Sequence, residues 1–367
     1  MNITLLQGFF LPVPPRRGGA VEKQWYRLGQ EFAARGHRVT HVSRRCDGLP
    51  EGEVIGGVKH VRIRGYDHAR SNVTNLYHDG LYTLRARRVL PRADILVTNT
   101  FWAPVAAAAG QGRVVVDVQR MPRGQLRLYR GAARLRANSS AVVAAIAAEA
   151  PWAASRVRMI PNALPSPPVD PVRWERKTKT ILYVGRLHEE KGIALLLQAW
   201  QKAATWPGFR DWQLDLVGPV KVAEGGSGEA WQAGLQQRYP APRVRWHPPV
   251  FDDAGLARHY EAARVFVYPS LAEKGETFGS AVLEAMAWGA VPVVSDLACF
   301  RDFVSTGANG FAFDHRSASP DTALASALQE AGSDAAEPLA RAAVNVRASH
   351  APGAIAAQFL ADFKSLP

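Results

Sequence analysis

Short runs of β-branched and apolar residues alternate with helix-length stretches along this chain, and the alternation halts once and restarts. In the first half the runs fall at residues 3–6, 38–42, 58–63, 95–98, 114–118 and 157–160, and a helical pattern over 20–35 follows the first. Several are apolar at nearly every position, as parallel strands covered on both faces must be. Strand, helix and strand in series predict a doubly wound α/β sheet. Five prolines then crowd between 161 and 171, where large apolar residues are scarce. Proline removes a backbone donor and disfavours helix at the residue before it, so 163–177 reads as a linker. Beyond it, strands are expected at 180–184, 213–217, 244–247, 265–268 and 291–295, and a last helix at 354–363. The 367 residues thus divide into a first domain, 1–165, a second, 166–350, and a closing helix, 351–367, expected to pack back towards the first domain.

Composition narrows the class. Hydrophobic residues make up 47% and charged residues 21%, which excludes a disordered, collagen-like or disulfide-stapled chain. Cys46 and Cys299 are the only cysteines and lack metal-ligand spacing, so a reducing compartment is expected. No stretch reads as a membrane span, and residues 1–10 read as a strand rather than a signal peptide. The net charge of +13 is one-sided: residues 1–161 hold 25 basic against 10 acidic side chains, and the rest hold 20 against 22. That asymmetry suits an anionic membrane face, a phosphorylated substrate or nucleic acid, or is simply a solvated arginine-rich surface. No nucleic-acid motif accompanies it.

Ligands of parallel sheets sit at the carboxyl ends of the strands, so the residues that follow each strand carry the information. After the first strand, Gly18 and Gly19 lead into a helix, where bare backbone N–H groups can approach an anion; a simple turn would look the same. After strand 180–184 come Arg186 and Lys191, a planar fork and a point charge suited to a diphosphate, or else two solvated cations. After strand 265–268 come Glu276, Phe278, Gly279 and Glu284. Gly279 is expected to open a helix whose free N–H groups face an anion. Glu284, set among Val282, Leu283, Ala285 and Met286, is expected to be buried and to need a partner such as ribose hydroxyls. Asp252 and Asp253 read as a helix cap rather than a metal dyad.

Taken together, these pieces resemble glycosyltransferase family 4, the retaining, sugar-nucleotide-dependent enzymes of the GT-B fold. The resembling segments are 14–20, 36–40, 161–162, 185–187, 191–192, 269–270, 276–284 and 292–294, in family order. The resemblance implies two Rossmann-like, doubly wound parallel-sheet domains facing a central cleft, the first binding the acceptor and the second the nucleotide sugar. It implies that Arg186, Lys191 and Glu276 are catalytic. Gly18, Gly19, Arg186, Lys191, Glu276, Phe278, Gly279 and Glu284 would bind the donor, with Glu284 on the ribose and Glu276 on the donor sugar. No metal and no cofactor beyond the sugar nucleotide are implied, since two cations and a helix N-terminus can supply the charge.

Two features depart from the pattern. Where the family often carries histidine after the strand at 114–118, this chain reads Asp117, Val118, Gln119, and either Gln119 or Asp117 takes that place as a donor-sugar contact. Extra residues, Glu273 to Gly275, precede Glu276. On the acceptor side, Arg120, Arg123, Arg127, Arg130 and Arg134 are spaced three, four, three and four apart, which would align them on one helical face. A second cluster comprises Arg85, Arg87, Arg88 and Arg92. Such a stripe suits an anionic glycolipid, a phosphorylated glycan or a membrane surface. The expected activity is sugar transfer from a nucleotide sugar to a cell-envelope glycan or glycolipid of lipopolysaccharide or exopolysaccharide type, in the cytoplasm or peripherally on the inner membrane. The rival readings are an epimerase on the same fold and a degenerate sugar-nucleotide-binding protein, the latter kept open by Gln119.

Overall fold

The computed structural model describes residues 1–15, 19–165, 168 and 170–366. Gly18, one of the expected donor-binding residues, lies outside the described residues. The chain separates into two units, Met1–Pro165 with His350–Pro367, and Ser166–Ser349.

The first unit opens with β1 (Asn2–Leu6) and α1 (Ala20–Ala34), which turns Trp25, Leu28 and Phe32 inward at helical spacing. There follow β2 (Arg38–Arg44), β3 (Gly52–Ile55), β4 (Val58–Ile63), α2 (Asn72–Val89), β5 (Ile95–Thr98) and α3 (Ala103–Ala106). Next come β6 (Arg113–Val118), β7 (Arg134–Ala137), α4 (Ser140–Glu149) and β8 (Val157–Met159). The sheet order is β3-β4-β2-β1-β5-β6-β7-β8, parallel except where β3 runs antiparallel to β4. One core layer gathers around Leu6, Val42, Tyr82 and Leu135, the other around Leu5, Trp25, Phe32 and Val115. Burial on both faces is why β1, β5 and β6 are apolar at nearly every position.

Strand β7 corrects the expectation of an arginine-lined helix. Arg120, Arg123, Arg127, Arg130 and Arg134 do not share a helical face: the segment is loop with one 3-10 turn at Gln125–Leu128, and Arg134 begins a strand. Gly124 takes φ 96°, and its N–H and that of Leu126 donate to the Glu149 carboxylate at 2.7 and 2.9 Å, which fixes the loop. Arg134 pairs with Asp362 at 3.0 Å, and Arg130 lies over the Trp152 ring at 5.1 Å, while Arg120, Arg123 and Arg127 are exposed.

The second unit runs β9 (Thr178–Val184), α5 (Ile193–Ala203), β10 (Gln213–Val217), α6 (Glu229–Arg238), β11 (Val244–His247), α7 (Asp253–Ala262) and β12 (Ala263–Tyr268). It continues with α8 (Ser280–Ala287), β13 (Val291–Ser295), β14 (Phe311–Phe313), α9 (Pro320–Gly332), α10 (Glu337–Ala343) and α11 (Val346–Ser349). The sheet is fully parallel in the order β11-β10-β9-β12-β13-β14. Asp252 does cap α7, accepting from the Gly255 N–H at 2.6 Å.

From His350 the chain belongs again to the first unit. Helix α12 (Pro352–Lys364) lays Phe359 against Trp25 (ring centroids 5.0 Å) and Phe363 against Phe32 (5.9 Å). Arg113 reaches the Leu366 carbonyl at 2.6 Å. Among the described residues, no helix is long and apolar enough to cross a membrane.

Candidate functional site

In the second unit the strand order reverses direction between β9 and β12, the position where an open α/β sheet leaves a crevice at its carboxyl edge. Arg186 and Lys191 follow β9, and Glu276, Phe278 and Gly279 follow β12, so topology alone gathers them. The two loops are laced together. The Leu271 N–H donates to the Glu190 carbonyl at 2.8 Å. A Cβ on Gly192, which has φ 70°, would stand 2.0 Å from the Pro269 carbonyl oxygen, so only glycine permits this approach. A Cβ on Gly218, after β10, would likewise stand 1.9 Å from the Gly185 carbonyl oxygen.

Lys191 is buried and donates to Glu276 Oε2 at 2.7 Å, with its ammonium 5.4 Å from the Tyr268 ring centroid. Both side chains of this pair are at least nine-tenths covered. Isolated, either charge would be costly there; together they form a preset dipole with spare donors on the lysine. Tyr183 and Tyr268 stack beneath at 5.6 Å, and burial, with the Glu276 carboxylate adding, pushes both phenols well up, so they stay protonated. Arg186 is exposed; its guanidinium donates to Glu190 Oε1 at 2.7 Å and to the Gly225 carbonyl at 3.0 Å.

Gly279 is the N-cap of α8 at φ 83°, and a Cβ would meet the Phe300 ring at 2.4 Å. Phe278 beside it is buried against Phe303, 5.4 Å between ring centroids. The first turn of α8 therefore carries backbone N–H groups with no side-chain cap, the arrangement that receives anions. Glu284 is half-buried rather than buried, because it lies on the α8 flank facing Tyr260 of α7. The Tyr260 hydroxyl hydrogen-bonds its carboxylate, and burial together with that carboxylate raises the phenol. The extra loop is tied down: Glu273 meets His315 at 2.9 Å and Arg316 at 2.7 Å.

In the first unit, Gly19 caps α1 at φ 97°, where a Cβ would collide with the Glu22 carboxylate at 2.4 Å. Burial pushes the Glu22 carboxyl up. Asp117 and Gln119 are hydrogen-bonded to each other but differ in their other partners. Asp117, inside β6, is fully engaged by Arg136 of β7 at 2.7 Å and the Trp25 indole N–H at 2.6 Å. Burial lowers the Arg136 pKa even against that carboxylate. Gln119 stands just past the strand and is half-buried; it donates to Asp117 (3.0 Å) and Asn162 (3.3 Å) and accepts from Asn138 (3.1 Å). Sequence reading missed Tyr260, Tyr183 and Arg136; the alternating Arg-Leu-Arg-Ala of β7 was the available signal for the last.

Comparison with known proteins adds ancestry. A family model described as Glycosyltransferase Family 4 matches residues 18–165, and one described as Glycosyl transferases group 1 matches 178–334. The phosphatidyl-myo-inositol mannosyltransferase of Mycobacterium tuberculosis (strain ATCC 25618 / H37Rv) is 38% identical over 138 residues, 37% of this chain and 33% of that protein. The O-antigen chain mannosyltransferase B of Escherichia coli is 36% identical over 122 residues, 31% of this chain and 27% of that protein. The matched stretch thus spans about a third of the length of the first of these relatives. Among solved structures, sucrose-phosphate synthase from Thermosynechococcus elongatus superposes with a TM-score of 0.77 at 22% identity, covering 99% of this chain and 98% of that one. HepE of Anabaena in complex with UDP-glucose gives 0.71 at 18%, covering 100% of both. At those identities the likeness establishes the GT-B fold and no more.

Proposed function

We propose that this chain, which belongs to glycosyltransferase family 4, transfers a sugar from a nucleoside-diphosphate sugar to a hydroxyl of a cell-envelope glycan or glycolipid, of lipopolysaccharide or exopolysaccharide type. The observation that carries this reading is the buried Lys191–Glu276 pair at the strand-order reversal, with Arg186 and the open α8 N-terminus in the same loops. Curated relatives named as mannosyltransferases support the reaction class.

In this reading Lys191 and Arg186 hold the donor diphosphate and the α8 N–H groups share its charge. Glu276 accepts hydrogen bonds from donor-sugar hydroxyls while it orients Lys191. Glu284 trades its Tyr260 contact for ribose hydroxyls, a carboxylate accepting from both. Gln119, which can donate and accept but cannot act as a base at neutral pH, contacts a sugar hydroxyl from the first unit. Gly19 and Phe278 contribute backbone approach to the donor. The bond from the anomeric carbon to the diphosphate breaks as the acceptor oxygen bonds the same face. The acceptor proton passes to the departing diphosphate oxygen, and configuration is retained without a covalent intermediate. Fixed cations and dipoles aimed at that leaving group supply the stabilisation that lets the reaction run without a metal. The arginine-rich first unit receives an anionic acceptor, with the reaction run at the cytoplasmic face of the inner membrane.

A thermal-shift series with uridine, guanosine, adenosine and thymidine diphosphates and their sugars tests the donor half. One nucleotide at about 100 times its Kd should stabilise the chain by ~2.7 kcal/mol. Glu284→Ala should weaken that nucleotide roughly tenfold, the worth of one or two lost hydrogen bonds. Full transfer and unchanged donor affinity in Glu284→Ala would sink the site assignment.

A further inference from the structure

The extra residues before Glu276 are folded into the site. The Ala272 carbonyl accepts the N–H groups of both Gly275 and Glu276, at 3.0 and 2.9 Å, so 272–276 forms one closed turn with Glu276 at its exit. Gly275 runs beside the Glu190 carboxylate, a Cβ there being 3.7 Å from Oε2, and Glu190 is the acid that receives Arg186. Near the entry of the turn, Glu273 supplies the side-chain anchor. Arg316 Nη2 reaches its two oxygens at 2.7 and 2.8 Å, and His315 Nε2 lies 2.9 Å from Oε1.

The contact continues into two further loops. His315 and Arg316 follow β14, and Arg316 Nη1 donates to the Asp296 carbonyl, just past β13, at 3.1 Å. The Asp296 carboxylate accepts from Arg301 Nε and Nη2 at 2.7 and 2.6 Å. Arg301 sits in the 3-10 turn Phe300–Asp302, and the Phe300 ring is the one that abuts Gly279. A chain of alternating charge, Glu273, Arg316, Asp296 and Arg301, thus runs from the Glu276 turn to the N-terminus of α8. The Arg316 hydrogen bond holds the Glu273 carboxyl below its usual range, and Arg301 does the same for Asp296.

Stability does not account for this chain. Glu273 and Arg316 are 48% and 49% exposed, and pairs so wet add little to folding. What charges on three loops can do is fix a position, and Glu276 needs one. Its carboxylate already accepts from Lys191 at 2.7 Å and from the Tyr268 hydroxyl. A carboxylate offers about four acceptor sites, so the direction of those left for a sugar depends on where the backbone leaves the turn. Misplacement by about 1 Å can cost on the order of a hundredfold in rate.

We propose that Glu273 is a positioning residue for donor-sugar recognition: clasped by Arg316 and His315, it sets the turn from which Glu276 reaches the sugar hydroxyls. The inference rests on the reading of Glu276 as the donor-sugar contact and deepens it, because it assigns the extra residues to the sugar end of the donor and not to its nucleotide.

The test measures Kd of the full chain for uridine, guanosine, adenosine and thymidine diphosphates and for their glucose and mannose esters. For the nucleotide that binds, the ratio of the two Kd values isolates the share of the sugar. Glu273→Gln should shift that ratio against the sugar nucleotide at least roughly fivefold, the worth of one misdirected hydrogen bond. Diphosphate affinity should stay within about twofold and the melting temperature should not move. Arg316→Gln should act in the same direction, and Glu273→Gln/Arg316→Gln should be no worse than Arg316→Gln alone, as for two residues working through one contact. Three results would overturn the proposal. They are an unchanged ratio in Glu273→Gln, an equal loss for diphosphate and sugar nucleotide with a lower melting temperature, and losses that add in the double variant. Glu276→Gln separates this from the donor reading. If the native chain binds none of the probes, or Glu276→Gln leaves the ratio unchanged, the donor reading itself falls and the positioning role with it.

Discussion

His41 and His60 stand opposite one another on β2 and β4, rings stacked at 5.4 Å, with none of their four nitrogens hydrogen-bonded. Burial lowers both, His41 well below the ordinary histidine value and His60 to about 4, and Arg62 adds repulsion. The unfolded chain binds the His60 proton near 6.5, the folded chain only near 4, and His41 is shifted in the same direction. His60 therefore contributes stability that is complete above pH 6.5 and lost as the pH falls through 4. In denaturant melts between those limits, His60→Phe should flatten the decline by about 1–2 kcal/mol relative to the native chain. An unchanged slope would remove this pair from the account. Other single residues were unevenly legible. Lys191 and Glu276 stood out because both follow strands, and the chain keeps charges there for a reason. Tyr260 did not, because an aromatic residue in a helix reads as core until its hydroxyl is seen on Glu284. Asp117 and Gln119, left open by spacing alone, differ plainly in what holds them: an ion pair for one, an amide network for the other.

Elements were legible where burial was two-sided. Strands β5 and β13 lie on the expected residues because nearly unbroken apolar runs between turns leave little choice of register, and β4, β10 and β11, which carry polar residues, lie on the expected residues as well. The strands that sequence reading passed over are the short or polar ones. Among them, β3 is four residues at a sheet edge, two of them exposed, and β14 is only three residues long. Strand β7 hides Arg134 and Arg136 in a strand, and arginines every three or four residues suggest a helix until Gly124 breaks it. The loop between β9 and α5 shows how tightly elements can be joined. Gly192→Ala must move the Pro269 carbonyl by more than an ångström and hold alanine at φ 70°. It should cost about 2–3 kcal/mol and loosen Lys191 from Glu276. The measurement is the melting temperature together with nucleotide affinity; a fall in neither would show that the loop yields freely.

At the scale of the whole molecule, each unit carries its own doubly wound sheet, yet only the second is continuous in sequence. The first is closed by α12, which sets Ile355, Phe359, Leu360 and Phe363 into the core layer of Trp25 and Phe32. Phe359→Ala should destabilise the first unit by about 3–5 kcal/mol. Limited proteolysis would read this as new cuts before residue 165 with 166–349 still resistant; equal loss in both units would refute separate cores. A ribosome delivers the chain from its first residue, so 166–349 is complete before α12 emerges. During that interval the second unit can settle while the first waits with one wall missing and Trp25 and Phe32 uncovered. Completion of the first domain is thereby tied to residues translated after the second, and a chain cut short just before α12 would leave a finished second domain attached to an unfinished first.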